Sequence, residues 1–157
     1  GGLLRYHNLA APLPEESPAE LLIGMCMDNR KRLRLPDNFA FILRTGGANL
    51  RYSEFKISFA VAIGRVRAVA LIGHTRCAMV DLITKRKAFV EGLVERAGWD
   101  REAADRHFIE HAPLFDIGDE TEFVLSEAQR LRGRYPGIEV APMIYRVEDG
   151  RLCLIEE

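Results

Sequence analysis

The sequence is poor in the features that mark disulfide-stabilised, membrane-spanning and nucleic-acid-binding proteins. Only three of its 157 residues are cysteine, and this odd, sparse count argues against a disulfide framework and for a reducing compartment. No apolar run approaches the roughly 20 residues of a membrane span. The formal net charge is -1, so no overall field attracts nucleic acid or an anionic membrane. We therefore expect a cytoplasmic protein without a nucleic-acid or membrane partner.

The composition is that of an ordinary globular protein. Hydrophobic residues make up 48% and charged residues 29% of the chain, enough to build one compact domain with a sizeable core. The N-terminus shows no basic segment followed by an apolar stretch, so no secretory signal is visible. Residues 1–18 are rich in proline and read as an irregular arm. Residues 19–157 read as a single domain.

Apolar patterning alternates between short buried runs and helical periods. Strands are expected at 19–25, 39–43, 68–72 and 138–145, with a last strand at 152–155 after a hairpin turn at 148–151. Helices are expected at 50–66, 77–97 and 119–134, and one more begins near Trp99 with Asp100 as its N-cap. This order predicts the α/β class, with a mostly parallel central sheet of about four strands, a C-terminal antiparallel edge hairpin and flanking helices.

Two clusters of polar residues follow two of these strands. Cys26-Met27-Asp28-Asn29-Arg30 comes directly after the first strand, and His74-Thr75-Arg76-Cys77 comes directly after the third. The carboxyl ends of strands are where an open α/β sheet places its chemistry. Two cysteines and one histidine suit zinc and leave a fourth tetrahedral position open, as catalytic zinc sites do.

With these residues in view, the chain resembles the β-class carbonic anhydrases. The family's first motif is Cys-x-Asp-x-Arg and its second is His-x-x-Cys, and the two clusters match them in order and in placement after strands. Arg44-Thr45-Gly46-Gly47 looks like the counterpart of the family's Arg-Asn-Ala-Gly turn. The similarity covers residues 20–85 well and 135–155 more loosely.

The resemblance implies one Zn²⁺ per chain and reversible hydration of CO2 to bicarbonate by attack of zinc-bound hydroxide. The metal ligands would be Cys26, His74 and Cys77. Asp28 and Arg30 would form a dyad in which Arg30 fixes Asp28 and Asp28 orients the hydroxide. In the family this Asp also swings onto zinc in an inactive state, and the sequence does not say which state Asp28 prefers. Backbone N–H groups of Gly46 and Gly47 are expected to approach the substrate oxygens.

The resemblance also implies assembly into a homodimer or a dimer of dimers. Family members pair about a two-fold axis, often with N-terminal segments wrapping the partner, and the pocket is completed at the interface. We expect residues 1–18 to be such an arm. Ile42, Leu43, Tyr52 and Phe55 are candidates for lining an apolar path to the site.

Three positions depart from the family pattern and keep other functions open. These are Ala78 after the second cysteine, Thr45 in the glycine turn, and Arg76, which adds a positive charge near the metal. One alternative is a hydrolase of carbonyl sulfide or carbon disulfide on the same zinc site. Another is a low-activity zinc-binding protein with a non-enzymatic role.

Several residues also have plainer interpretations. Asp28 and Arg30 would suit an ordinary ion pair. His107 and His111 have the i, i+4 spacing of a metal pair but suit a solvated helix face better. The basic runs 31–34 and 85–87 suit solvated surfaces.

Overall fold

A single five-stranded sheet forms the centre of the molecule. The computed structural model describes residues 2–12 and 20–156. Its strands are β1 (Leu21–Cys26), β2 (Ala40–Thr45), β3 (Ala68–His74), β4 (Glu139–Tyr145) and β5 (Leu152–Leu154). They lie in the order β2-β1-β3-β4-β5, and all neighbours are parallel except β4 and β5. The predicted α/β class, with its parallel sheet and terminal hairpin, is confirmed.

In the ranges 2–12 and 20–156, five α-helices flank this sheet: α1 (Gly2–Leu9), α2 (Glu54–Ala62), α3 (Arg86–Ala97), α4 (Arg101–Phe115) and α5 (Glu120–Arg134). Acidic caps fix two of their starts, because Asp100 accepts a hydrogen bond from the N–H of Ala103 and Asp119 accepts from two N–H groups of α5. The predicted N-cap at Asp100 is confirmed. In the described part of the chain, no helix combines the length and apolarity needed to cross a membrane.

Both faces of the sheet are buried, as continuous apolar strands require. Side chains alternate between the two faces along each strand. One face packs against α2 and α5 through Leu22, Leu71, Ile57, Val124 and Leu131. The other face packs around α1 through Leu3, Ile23, Met25, Ile72 and Met143. Because helices cover both faces, the carboxyl edge of the parallel strands is left as the place for chemistry.

The N-terminal segment is more regular than its proline content predicts. Residues 2–9 form helix α1, whose Leu3 is buried against the chain's own sheet. The side chain of Asn8 donates to the carbonyl of Leu152 at 2.7 Å and accepts from its N–H at 2.9 Å. The prediction of an irregular segment is therefore wrong for residues 2–9, because this helix packs its apolar side on the chain's own sheet. Residues 13–19 lie outside the described part, and packing of an arm on a partner stays a prediction.

The second motif does not lead straight into a helix. A helix was expected over 77–97, but α3 begins only at Arg86, after a 3₁₀ turn at Leu82–Lys85. Asp81 has a left-handed φ of 50°, which interrupts a right-handed helix. The N–H of Cys77 is taken by the carboxylate of Glu120 at 3.0 Å. The apolar period continues through this turn, so periodicity alone could not reveal the break.

Close packing of α5 on the end of β3 yields a stability prediction. A Cβ on Gly73 would lie 2.6 Å from Cγ2 of the buried Val124, and a β-branched side chain cannot easily turn away. We expect Gly73→Ala to lower the free energy of unfolding by about 1–3 kcal/mol. Urea denaturation measures the change.

Gly133→Ala in α5 is the matched control. Apart from the neighbouring backbone of α5, no heavy atom of the described residues lies within 4 Å of the added Cβ there. Replacing a helical glycine should then stabilise the protein by about 0.5–1 kcal/mol. Wild-type stability in Gly73→Ala would contradict the close contact between β3 and α5.

Candidate metal centre

Two neighbouring strand ends bring the three predicted ligands together. Cys26 is the last residue of β1 and His74 is the last residue of β3, while Cys77 follows in the next turn. Because β1 and β3 are adjacent and parallel, their carboxyl ends meet at one edge. The ligand atoms of the three residues all lie within 4.8 Å of one another, and all three residues are buried. The arrangement can hold one metal ion.

The two cysteine sulfurs form an unbalanced pair. Their Sγ atoms are 4.0 Å apart, close to the about 3.8 Å that two Zn–S bonds of about 2.3 Å span in a tetrahedron. The hydrogen bond between the two sulfurs, in which either can be the donor, lowers the pKa of Cys26 and raises the pKa of Cys77. Burial raises the pKa of Cys77 further, and a second thiolate beside the first would add repulsion. A divalent cation between the sulfurs would remove this repulsion.

His74 offers the third ligand atom. Its Nδ1 lies 2.9 Å from the carbonyl oxygen of Thr75, and because a carbonyl only accepts, Nδ1 must carry the proton. Nε2 therefore presents a lone pair, and it is buried with no hydrogen-bond partner among residues 2–12 and 20–156. An orphaned buried acceptor costs about 1–3 kcal/mol. A metal ion would satisfy it, so the donor set fits zinc.

Gly47 supports the Cys26 sulfur. Its N–H donates to Cys26 Sγ at 3.3 Å, and its φ of 63° lies in the left-handed region that favours glycine. A Cβ there would also meet Ile117 Cγ2 at 2.7 Å. This N–H thus points at a ligand atom, whereas a substrate oxygen was expected. Substrate binding by Gly46 and Gly47 stays a prediction.

Asp28 and Arg30 form a closely matched pair beside the cluster. Arg30 Nε lies 3.0 Å from Asp28 Oδ1, and Nη2 lies 2.7 Å from Oδ2. The Arg30 guanidinium holds the pKa of Asp28 well below its usual range, so the carboxylate stays ionised. Asp28 Oδ2 is 3.9 Å from His74 Nε2. The dyad therefore forms next to the predicted ligands.

Lys31 is a site residue that the sequence did not reveal. The run 31–34 was interpreted as a solvated face, and this is wrong for Lys31, which is 3% exposed. Its Nζ donates to the carbonyl of Cys26 at 2.8 Å. Burial lowers the pKa of Lys31 to about 8. No local pattern separates this lysine from its exposed neighbour Arg32, so only the folded chain could identify it.

Arg76 does not bring an uncompensated charge to the centre. Its Nε lies 3.1 Å from Glu148 Oε1, and its side chain is largely exposed. The extra positive charge that the sequence places here is therefore paired on the surface.

The two helical histidines make no comparable cluster. The rings of His107 and His111 are 4.5 Å apart, beside Trp99 and Phe89. Within the described residues, Cys26, His74 and Cys77 form the only group of three or more candidate metal ligands. His7, in α1, is also accounted for, because it bonds Gly150 O at 2.8 Å and the N–H of Arg34 at 3.0 Å.

The buried Lys31 gives a pH prediction. Its pKa is about 8 in the folded protein against an ordinary 10.5, so the unfolded chain binds more protons between these values. Stability should therefore rise with pH across this window. We expect Lys31→Met to remove that rise in urea unfolding measured from pH 7.5 to 10. Lys87→Met, which changes a side chain that is 88% exposed, should keep it. Parallel curves for wild type and Lys31→Met would contradict the burial of the ammonium.

The chain is similar to known proteins in its structure and not measurably in its sequence. No protein-family model matches the sequence, and no curated protein matches it. The carbonic anhydrase from Glaciozyma antarctica superposes with a TM-score of 0.70 at 22% identity, over 92% of this chain and 86% of that one. The β-carbonic anhydrase isoform I from Trichomonas vaginalis gives 0.72 at 13% identity, over 92% and 86%. An apo carbon disulfide hydrolase gives 0.62 at 19% identity, over 86% and 77%.

These structures share the sheet and its flanking helices across most of both chains. Their sequence identities are too low to carry an activity across, and they establish the fold alone. The family resemblance read from the two motifs is thereby confirmed in three dimensions, and the chain has the fold of the β-carbonic anhydrases.

Proposed function

We propose that the protein is a zinc enzyme that hydrates CO2 reversibly to bicarbonate, with one zinc ion per chain. The observation that carries the proposal is the buried Cys26, His74 and Cys77 cluster with its orphaned imidazole nitrogen, set beside an ionised Asp28. The β-carbonic anhydrase fold supports it, because solved carbonic anhydrases share this architecture.

The charges of the centre suit a divalent cation. Two thiolates cancel the double positive charge of zinc, and a neutral His74 adds none. Arg30 and Lys31 place positive charge nearby, and Asp28 offsets one of them. Zinc, when bound, would lower the pKa of a water molecule and supply the nucleophile for CO2.

Asp28 would orient that nucleophile. Arg30 binds both of its oxygens, with Nε on Oδ1 and Nη2 on Oδ2, which fixes the plane of the carboxylate. Oδ1 already accepts from the backbone N–H and the Nε–H of Arg30, so Oδ2, which lies 3.9 Å from His74 Nε2, is the oxygen that would face a reacting O–H. Because Asp28 stays ionised, it can only accept a hydrogen bond from that O–H. A hydrogen bond from this O–H to Asp28 would fix the direction of the proton, and a lone pair of the reacting oxygen would then face the carbon of CO2. Asp28 and Arg30 are accordingly the proposed catalytic residues.

The glycine turn is the proposed site for the substrate oxygens. A Cβ on Gly46 would meet the Met79 sulfur at 3.2 Å, and one on Gly47 would meet Ile117. Both residues let the backbone pass close to the centre, which a larger residue would obstruct.

A second function deserves the same assay, because the fold is shared with a carbon disulfide hydrolase. Carbonyl sulfide and carbon disulfide present the same linear, electrophilic carbon as CO2. Attack on that carbon would need the same ligands and the same Asp28 acceptor. A zinc-binding protein with little turnover is the third alternative.

The test compares Cys77→Ala with Cys153→Ala, a cysteine away from the cluster. We expect the wild type and Cys153→Ala to hold one zinc per chain by elemental analysis and to hydrate CO2 in stopped flow. Cys77→Ala should lose most of its zinc and at least about 100-fold in rate, since loss of even an outer partner costs roughly 10–100-fold.

Three results would change the conclusion. CO2 hydration that survives Cys77→Ala, or a wild-type protein without zinc when zinc is supplied, contradicts the proposal. Sulfide release from carbonyl sulfide or carbon disulfide with negligible CO2 hydration favours the alternative hydrolase. Bound zinc with neither reaction favours the non-enzymatic role.

We also propose that two copies pair through an apolar surface formed by α2 and the residues that flank it. We name it the outer surface and define it by residues that are 54–83% exposed: Tyr52, Phe55, Phe59 and Ile63. Within α2 only Ile57 and Ala60 are buried in the chain, so its other apolar side chains are left without cover. The structurally similar β-carbonic anhydrases of Sordaria macrospora are tetrameric. A second copy would remove these side chains from water.

Phe55, which is 83% exposed, tests the pairing. We expect Phe55→Glu to shift the protein from dimer or tetramer to monomer in size-exclusion chromatography with light scattering, because a charge would be buried in an apolar contact. Ile109→Glu, at a residue 51% exposed on α4, should keep the wild-type mass. A monomeric wild type at micromolar concentration would overturn the pairing.

A further inference from the structure

The turn that carries two of the three candidate ligands is held in a disfavoured conformation. It runs from His74 to Cys77, and its Arg76 has a left-handed φ of 56°. For residues other than glycine this region is sparsely populated, because the side chain crowds the backbone there. Such a conformation persists only where its surroundings hold it.

The hairpin between β4 and β5 supplies that hold. The Glu148 carboxylate accepts a hydrogen bond from Thr75 Oγ1 at 2.8 Å and pairs with Arg76 Nε at 3.1 Å. Thr75 Oγ1 in turn accepts from the N–H of Val147 at 3.0 Å. The N–H of Thr75 donates to the carbonyl of Tyr145 at 3.0 Å. One carboxylate therefore binds both middle residues of the turn.

The far side of the same turn binds the dyad. The carbonyl of Arg76 accepts from Arg30 Nη2 at 2.8 Å. That nitrogen also donates to Asp28 Oδ2 at 2.7 Å. The backbone conformation of Arg76 thus sets where Arg30 lies, and Arg30 sets where Asp28 lies.

Exposure explains why this hold matters for Asp28. The Arg30 side chain is 46% exposed, and an isolated surface ion pair is only weakly stabilised because solvent screens it. Such a pair would exchange readily between geometries. A second acceptor at Arg76 O, fixed from behind by Glu148, restricts Arg30 to the two-point geometry seen here.

We propose that Glu148 is a positioning residue, which fixes the Asp28–Arg30 pair through the Thr75–Arg76 turn. Glu148 contacts the turn and not the ligand atoms, and its link to the dyad runs through Arg76 and Arg30. The inference rests on the proposed function for its catalytic meaning, while the structural coupling stands independently of it.

The experiment compares Glu148→Ala and Glu148→Gln with Asp149→Asn in the full-length chain. Glu148→Ala removes both contacts. Glu148→Gln keeps an oxygen for the Thr75 hydroxyl but loses the charge that pairs with Arg76. Asp149→Asn takes the same charge from the same hairpin, keeps an acceptor for the N–H of Arg151, and does not touch the turn.

Two readouts separate positioning from a general structural role. The first is hydrogen exchange of the Arg30 Nε–H, followed by its ¹⁵N NMR signal. The second is CO2 hydration, with zinc content measured alongside. We expect Glu148→Ala to exchange the Arg30 Nε–H several-fold faster. It should lower kcat about 10-fold with KM and zinc content unchanged, a loss typical of outer partners. Glu148→Gln should be intermediate, and Asp149→Asn should match the wild type.

Wild-type exchange at Arg30 in both Glu148 variants would overturn the inference, and so would equal losses in Asp149→Asn. If Glu148→Ala fails to fold, Glu148→Gln carries the test, because it keeps the Thr75 contact. An inactive wild type with faster Arg30 exchange in Glu148→Ala would defeat the proposed function but not the coupling. An active wild type with unchanged exchange would defeat the coupling alone.

Discussion

Two thiols held 4.0 Å apart in a buried pocket are the constraint on which the rest of the structure depends. The contact between the sulfurs opposes a charge on both of them. The buried Nε2 of His74 lies within 4.8 Å of both sulfurs and has no hydrogen-bond partner among the described residues. The fold accepts this locally unfavourable centre because strands β1 and β3 are fixed by pairing along most of their length. The sheet thus holds together three donor atoms that would suit a divalent cation.

The sheet also explains why residues about fifty positions apart act as one centre. Parallel neighbours end at the same edge, so Cys26 and His74 meet without any local contact along the chain. The turn after β3 then brings Cys77 to the same edge, and the glycine turn after β2 brings the Gly47 N–H to the sulfur of Cys26. Each of these pieces is a loop set on a rigid strand, which is how loops acquire precise chemistry.

Much of this arrangement could be predicted from the sequence. Strand ends, the order of elements and the cluster of Cys26, His74 and Cys77 follow from short motifs, because a strand and its following turn are local features. Three other features could not be predicted from local patterns. Lys31 is buried with its ammonium on the carbonyl of Cys26, α1 is a helix bonded to β5, and the apolar period of α2 points partly outwards. Periodicity shows that a stripe exists but does not show what covers it.

The exposed aromatic residues of α2 have a consequence for how this chain exists in solution. In the single chain Phe55 leaves most of its surface in water, and Phe59 leaves about half. Burying such apolar surface contributes about 25 cal/mol of stabilising free energy for each Å². Covering them by a second copy would add that free energy to the folded state only after a bimolecular encounter. The melting temperature would then rise with protein concentration, and dilution alone would lower the stability of the fold that holds the two sulfurs.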